Sequence, residues 1–185
     1  MSLELIIGPM FAGKSTTILQ RVKRAEVIGV NSLIVTSILD TRYNTSHNLV
    51  KTHDLQTKEA VGLNDIRDIT LFASFQRAKL IIVEEAQFFE HLYETVKMLV
   101  EVYRRDVIVV GLDGDSDRKP FGEILQLIPL ADTVTKITAL CKRCCDGTAA
   151  LFTFCSLSKE KDSQIKVGGD ETYEALCRRH YLEKS

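Results

Sequence analysis

The eight residues GPMFAGKS, Gly8 to Ser15, limit what this chain can fold into more than any other segment. They fit the pattern G-x-x-x-x-G-K-[ST]. A short apolar run, Leu3–Ile7, precedes them, and Lys14–Ile28 follows with Ile18, Val22, Ala25 and Ile28 on one helical stripe and Gly29 as the stop. Strand, glycine loop and helix in that order are the setting a phosphate cradle requires. The glycines let successive backbone N–H groups face one anion, and the helix N-terminus adds partial positive charge. On this reading Gly8, Pro9, Met10, Phe11, Ala12, Gly13, Lys14, Ser15 and Thr16 wrap the phosphates of ATP. Lys14 reaches the β- and γ-phosphates and the Ser15 hydroxyl takes Mg²⁺. An ordinary glycine-rich strand-to-helix turn is the bland alternative, and the order of elements speaks against it.

The rest of the first 140 residues alternates in the same way. Leu33–Ile38, Leu80–Val83, Val107–Leu112 and Val134–Ile137 read as strands, and Phe88, Leu92, Val96, Leu99 and Tyr103 recur at helical spacing. The expected class is α/β, a P-loop NTPase-like parallel sheet flanked by helices. Residues 40–65 are polar and unpatterned and read as a loop. After Cys141 the pattern changes to cysteines, short β-like runs and a Gly-Gly turn. The change of pattern puts a boundary near residue 140, between a P-loop α/β domain over 1–140 and a small cysteine-bearing domain over 141–185. At 185 residues and 45% hydrophobic, the chain can bury a core without disulfides. The longest uncharged stretch, Val27–Leu39, is shorter than a membrane span and broken by polar residues. No basic patch precedes the first apolar run, so no signal peptide is read and the expected location is the cytoplasm. With a net charge of −1 there is no global basic field for nucleic acid or membrane, and neither is expected as a partner.

The run KLIIVEEAQFF puts Glu84 and Glu85 at the C-terminal end of a buried strand, the edge where ligands sit in open α/β sheets. Phosphoryl transfer needs one acid near Mg²⁺ and often a second to orient or deprotonate the nucleophile. Alone, two adjacent glutamates are better read as a solvated turn; the phosphate loop upstream reverses that ordering.

All five cysteines lie beyond residue 140. Cys141-x-x-Cys144 and Cys177-x-x-His180 form two half-sites that can close a tetrahedral Cys₃His shell around Zn²⁺. With all four positions filled by protein, the metal is structural. The stretch 145–176 then protrudes as a loop pinned at its base. Cys145 and Cys155 are left over as free thiols, although Cys145 could compete with Cys144. The alternative is a group of buried free cysteines.

Together these segments resemble the type II thymidine kinase family, the cellular and poxvirus-like form. GPMFAGKST, DTRY (40–43), THD (52–54), EEAQFF (84–89), GLD (111–113), RKPFG (118–122), CKRC (141–144), VGG (167–169) and YEALCRRH (173–180) carry the resemblance across nearly the whole chain. It implies ATP-dependent phosphorylation of the 5′-hydroxyl of thymidine, with Glu85 as general base. Asp40, Arg42, Glu84 and Gln87 match positions around the phosphates and metal. Met10, Phe88, Leu112, Ser116 and Phe121 match the nucleoside pocket. The family's substrate lasso corresponds to about residues 150–173, so that Gln164, Ile165, Lys166, Val167 and Gly168 supply base contacts and Tyr173 packs beside them. The resemblance also implies a homotetramer and feedback inhibition by dTTP. Three features depart from the pattern: Ser116 stands where the family has a stacking aromatic, Glu84 stands where it has Asp, and the lasso is about two residues longer after Cys144, which shifts the base-contacting positions near Thr153. The first relaxes the expected preference for thymidine over deoxyuridine; the second alters the metal geometry.

Two rival readings remain at this stage. A nucleoside monophosphate kinase would want a basic cluster for the acceptor phosphate, and Arg42, Arg118 and Lys119 make a poor one. A nucleic-acid-gripping zinc loop would be rich in Lys and Arg, whereas 145–176 contains no Arg and more acids than bases.

Overall fold

A computed structural model describes residues 1–38, 49–51, 57–156 and 171–184. Its elements in chain order are β1 (Ser2–Ile7), α1 (Lys14–Val27), β2 (Ser32–Ser37), β3 (Leu49–Lys51), β4 (Thr57–Glu59), β5 (Val61–Leu63), α2 (Ala73–Arg77), β6 (Leu80–Glu84), α3 (Leu92–Glu101), β7 (Asp106–Gly111), β8 (Thr133–Lys136), β9 (Ala139–Leu140), β10 (Ala149–Ala150), β11 (Phe152–Cys155), β12 (Tyr173–Leu176) and α4 (Arg178–Leu182). Six strands form one parallel sheet in the order β5-β2-β6-β7-β1-β8.

The apolar runs explain the sheet. Side chains alternate between faces along a strand, and β1, β2, β6 and β7 are covered on both faces, whereas the edge strand β8 is exposed. Leu3, Leu5, Leu33, Val35, Ile81, Val83, Val107 and Val109 join Phe75, Phe89, Leu92, Val96 and Leu99 in one core. Their even-numbered neighbours Ile6, Ile34, Ile82, Ile108 and Val110 meet Ile18, Val22 and Ala25 of α1 in the other. Strands buried on both faces read as continuous Val/Ile/Leu runs rather than alternating ones, which is why LIIV and VIVV were legible as strands.

The α/β class with a parallel, helix-flanked sheet is therefore as expected, with two corrections of detail. Residues 40–65 are not a loop throughout. β3 and β4 pair antiparallel, and β5 adds a sixth strand beside β2, with Val35 opposite Val61 and Ser37 opposite Leu63. Three residues are too few for a periodic signal, and the pairing is set by the edge of β2 rather than by local pattern. The helix read from Phe88 to Tyr103 covers only Leu92–Glu101. Left-handed backbone at Glu85 (φ 50) and His91 (φ 58) breaks the chain before it, so Phe88 lies in a 3-10 turn. Tyr103 lies beyond the helix, edge-on to Phe75 with ring centroids 5.1 Å apart.

Beyond β8 the described residues make only two-stranded pairings, β9 with β10 and β11 with β12. Ala139, Ala150, Ala175, Leu176 and Tyr181 form a separate small core there with Cys141 and Cys177. No helix among the described residues is long and apolar enough to cross a membrane.

Candidate active site and metal centre

β6, β7 and β1 are neighbours and parallel, so their C-terminal ends share one edge. β1 ends in the phosphate loop, β6 in Glu84 and Glu85, and β7 in Gly111 and Leu112. Ligands of open α/β sheets bind outside this edge.

The loop enters α1 through Gly13, whose φ of 79 lies in the left-handed region. α1 has no side-chain cap and no acid in its first turn, so its N-terminal partial charge faces the loop. Lys14 Nζ donates to the carbonyl oxygens of Pro9 (2.6 Å) and Gly8 (3.2 Å), which curls the ammonium over the loop. Ser15 Oγ donates to Glu84 Oε1 at 2.7 Å. Glu84 is buried although it ends a strand. That bond joins the loop hydroxyl to the first of the two carboxylates. A hydroxyl and a carboxylate oxygen brought together in this way are hard oxygen donors of the kind Mg²⁺ takes.

Glu85 is half-buried and carries left-handed backbone at φ 50, ψ 42. Its Oε2 accepts from Gln87 Nε2 at 2.6 Å, while Gln87 Oε1 accepts from the Leu112 backbone N–H at 3.0 Å. Gln87 is almost wholly buried. Two glycines make room for it: a Cβ at Gly111 would overlap its side-chain oxygen, and one at Gly122 its carbonyl. The sequence placed Gln87 near the phosphates; the structure has it bracing Glu85 against the end of β7.

Beside this brace, Met10, Leu112 and Phe121 form a small apolar cluster with Phe88 and Tyr173 packed on it. The Phe88 and Phe121 rings meet edge to face, centroids 5.4 Å apart. Five of the residues expected around a nucleoside thus come together. Ser116 is half-buried, and its carbonyl accepts from Tyr181 Oη at 2.6 Å. Asp40, Arg42, Gln164, Ile165, Lys166, Val167 and Gly168 lie outside the described residues.

The second centre assembles as the spacing suggested. Ligand atoms of Cys141, Cys144, Cys177 and His180 all lie within 4.8 Å of one another. His180 Nδ1 is 3.4 Å from the sulfurs of Cys141 and Cys144 and 3.6 Å from that of Cys177; Cys144 and Cys177 Sγ are 3.8 Å apart. With Zn–S near 2.3 Å and Zn–N near 2.0 Å, about these separations form the edges of a tetrahedron. The Cys177 backbone N–H donates to Cys141 Sγ at 3.3 Å, support that a thiolate accepts. Burial opposes ionisation of Cys141, yet that N–H and His180 bring its thiol down to about 6. Burial pushes Cys144 up to about 11, and the neighbouring sulfurs of Cys141 and Cys177 add to this against the hydroxyl of Thr148. Several sulfurs around one point do not all ionise without a cation between them, so the donor set fits Zn²⁺.

Two bonds that the sequence did not anticipate join the centres. The Thr153 hydroxyl, buried in β11, accepts from the Met10 backbone N–H at 3.0 Å. Tyr181 reaches Ser116 as above. Both contacts span large sequence separations, and no local pattern signals them.

A family model described as thymidine kinase matches residues 1–181. The cytosolic thymidine kinase of Bos taurus is 38% identical over 183 residues, covering 99% of this chain and 73% of its own length. That of Homo sapiens is 37% identical over 183 residues, 99% of this chain and 74% of its own. The thymidine kinase of vaccinia virus strain Western Reserve is 35% identical over 184 residues, 98% of this chain and 97% of its own.

Proposed function

Because the chain belongs to the thymidine kinase family, we propose that it transfers the γ-phosphoryl group of ATP to the 5′-hydroxyl of thymidine, giving dTMP and ADP for DNA synthesis. The observation that carries this reading is one continuous line of contacts along the sheet edge. Ser15 meets Glu84, Glu85 follows, and Glu85 meets Gln87, which holds Leu112 at the wall of an apolar pocket.

In the reaction the 5′-oxygen forms a bond to the γ-phosphorus as the bond from that phosphorus to the β,γ-bridging oxygen breaks. Glu85 accepts the hydroxyl proton, and the phosphate charge that develops on ADP is met by Lys14 and the loop amides. Ser15 and Glu84 would hold Mg²⁺, which supplies neutralisation of phosphate charge. Gln87 holds one carboxylate oxygen of Glu85 and so orients the carboxylate for the nucleophile. Met10, Phe88, Leu112, Phe121 and Tyr173 suit a neutral pyrimidine, for which a mostly apolar wall with few polar groups is the rule. Gln164–Gly168 supply backbone contacts to the base, and Asp40 and Arg42 complete the phosphate side. The monophosphate-kinase reading draws no support from a pocket whose described wall is apolar.

Residues 1–140 form the kinase domain in this proposal and 141–185 the lasso domain, with Cys141, Cys144, Cys177 and His180 holding structural Zn²⁺. A cytoplasmic homotetramer inhibited by dTTP completes it. The test is direct: protein with ATP and Mg²⁺ is offered thymidine, deoxyuridine, deoxycytidine and dTMP in parallel. Formation of dTMP from thymidine with one ADP per product supports the reading. A preference for dTMP as acceptor, or no 5′-monophosphate from any nucleoside, overturns it.

A further inference from the structure

The loop from Leu112 to Phe121 carries two pocket walls, one at each end. It is closed on itself. Asp115 N–H donates to the Lys119 carbonyl (2.9 Å) and Arg118 N–H to the Asp115 carbonyl (3.0 Å). The Asp115 carboxylate accepts from the Asp117 and Lys119 N–H groups, each at 2.9 Å. Such a turn moves as a unit.

It is docked onto the C-terminal cysteine module at two points. Tyr181, buried and one residue past His180, donates its hydroxyl to the Ser116 carbonyl at 2.6 Å. Arg118, in left-handed backbone at φ 65, lays its guanidinium 4.6 Å from the Tyr181 ring centre and 5.6 Å from that of Phe152. The Tyr181 ring is fixed in turn by Phe152 and Phe154 of β11, at 5.3 and 6.0 Å. The Arg118 contacts are cation–π contacts on a ring that also makes a charge-free hydrogen bond, so orientation and position are both set.

Resting on the proposed thymidine kinase activity, we propose that Tyr181, seconded by Arg118, is a positioning residue for nucleoside binding: it fixes the Leu112–Phe121 loop, and with it two walls of the pocket, to the cysteine module. Neither residue is a member of the pocket cluster. The phosphate loop is braced by a different bond, from the Met10 N–H to the Thr153 hydroxyl of β11. Loss of the Tyr181 hydroxyl therefore loosens the nucleoside side of the site and leaves the ATP side in place.

Tyr181→Phe removes one oxygen and keeps the ring stack. Expected is a rise in KM for thymidine of about three- to tenfold, the span of one ordinary hydrogen bond. The KM for ATP and kcat stay within about twofold, zinc content is unaltered, and amide hydrogen exchange rises over 113–119. Arg118→Ala, at an exposed site, shifts thymidine KM in the same direction by less; it also serves should the first variant not fold. Wild-type turnover of thymidine is measured first, and its absence overturns the activity and this proposal together. With turnover present, an unchanged thymidine KM in both variants overturns the positioning role alone. So does an equal worsening of thymidine and ATP constants, or loss of zinc from the phenylalanine variant, because each is the mark of a merely structural residue.

Discussion

Around the phosphate loop, Ile82 and Val83 of β6 and Val109 and Val110 of β7 are buried on the two faces of a six-stranded sheet. Around the cysteine cluster, the buried side chains are chiefly Ala139, Ala150, Ala175, Leu176 and Tyr181, in strands of two to four residues. The first region holds its shape by apolar burial, which is spread over many side chains. The second is too small to do so. Its geometry is concentrated in four ligand atoms and a few directed contacts, and a fold of that kind is typically coupled to metal occupancy. One site is thus walled by two regions that respond to different insults, and each can be perturbed without the other.

The largest effect is expected from removing the metal. Chelation should unfold the part beyond β8 and abolish thymidine turnover, while far-ultraviolet circular dichroism retains the α/β signal of the sheet. A single transition that takes the whole chain would break the contrast. Next in size, Glu85→Gln should lower kcat by about 10²–10⁴-fold, the range for loss of a general base, with melting temperature and zinc content unchanged. Near-normal turnover would remove Glu85 from its proposed part. Ile82→Ala works on the opposite side: a fully buried side chain lost from the sheet should cost about 2–5 kcal/mol in denaturant unfolding, yet leave one zinc per folded chain.

The smallest effect concerns Glu174 on β12. The Arg143 guanidinium, 3.0 Å away, holds its carboxyl below the usual range against the cost of burial, and Lys184 adds to this. A carboxyl depressed in the folded state stabilises above the ordinary value of about 4.5, and that contribution disappears as pH falls through the folded value. Glu174→Gln should therefore melt below wild type at pH 7, with the difference narrowing in acid. A gap that does not change with pH would show the pair to be inert, as many exposed ion pairs are.

The same contrast governs what could be read in the sequence. The glycine loop and the Cys/His half-sites stood out because each is a local pattern whose chemistry fixes its spacing, and the EE pair took its reading from the loop upstream. Strands of four or more buried residues were legible through their apolar runs. β5 was not, since Val61–Leu63 is a strand only by virtue of the β2 edge beside it. Nor was the start of α3, because left-handed His91 interrupts an apolar period that runs straight through it. Gln87 was placed in the site but not in its bracing geometry, which needs two glycines 24 and 35 residues further along, Gly111 and Gly122, to clear space. The Thr153–Met10 and Tyr181–Ser116 bonds join segments 143 and 65 residues apart and leave no local trace.

The left-handed turn at Glu85 has a consequence for how this chain can change. A residue with a Cβ is held there at a penalty of about 1–3 kcal/mol, and glycine would relieve it. Drift toward greater thermal robustness thus points straight at the residue proposed above as the general base. Glutamate at this corner is thus held at a cost in stability that the proposed general-base role would explain.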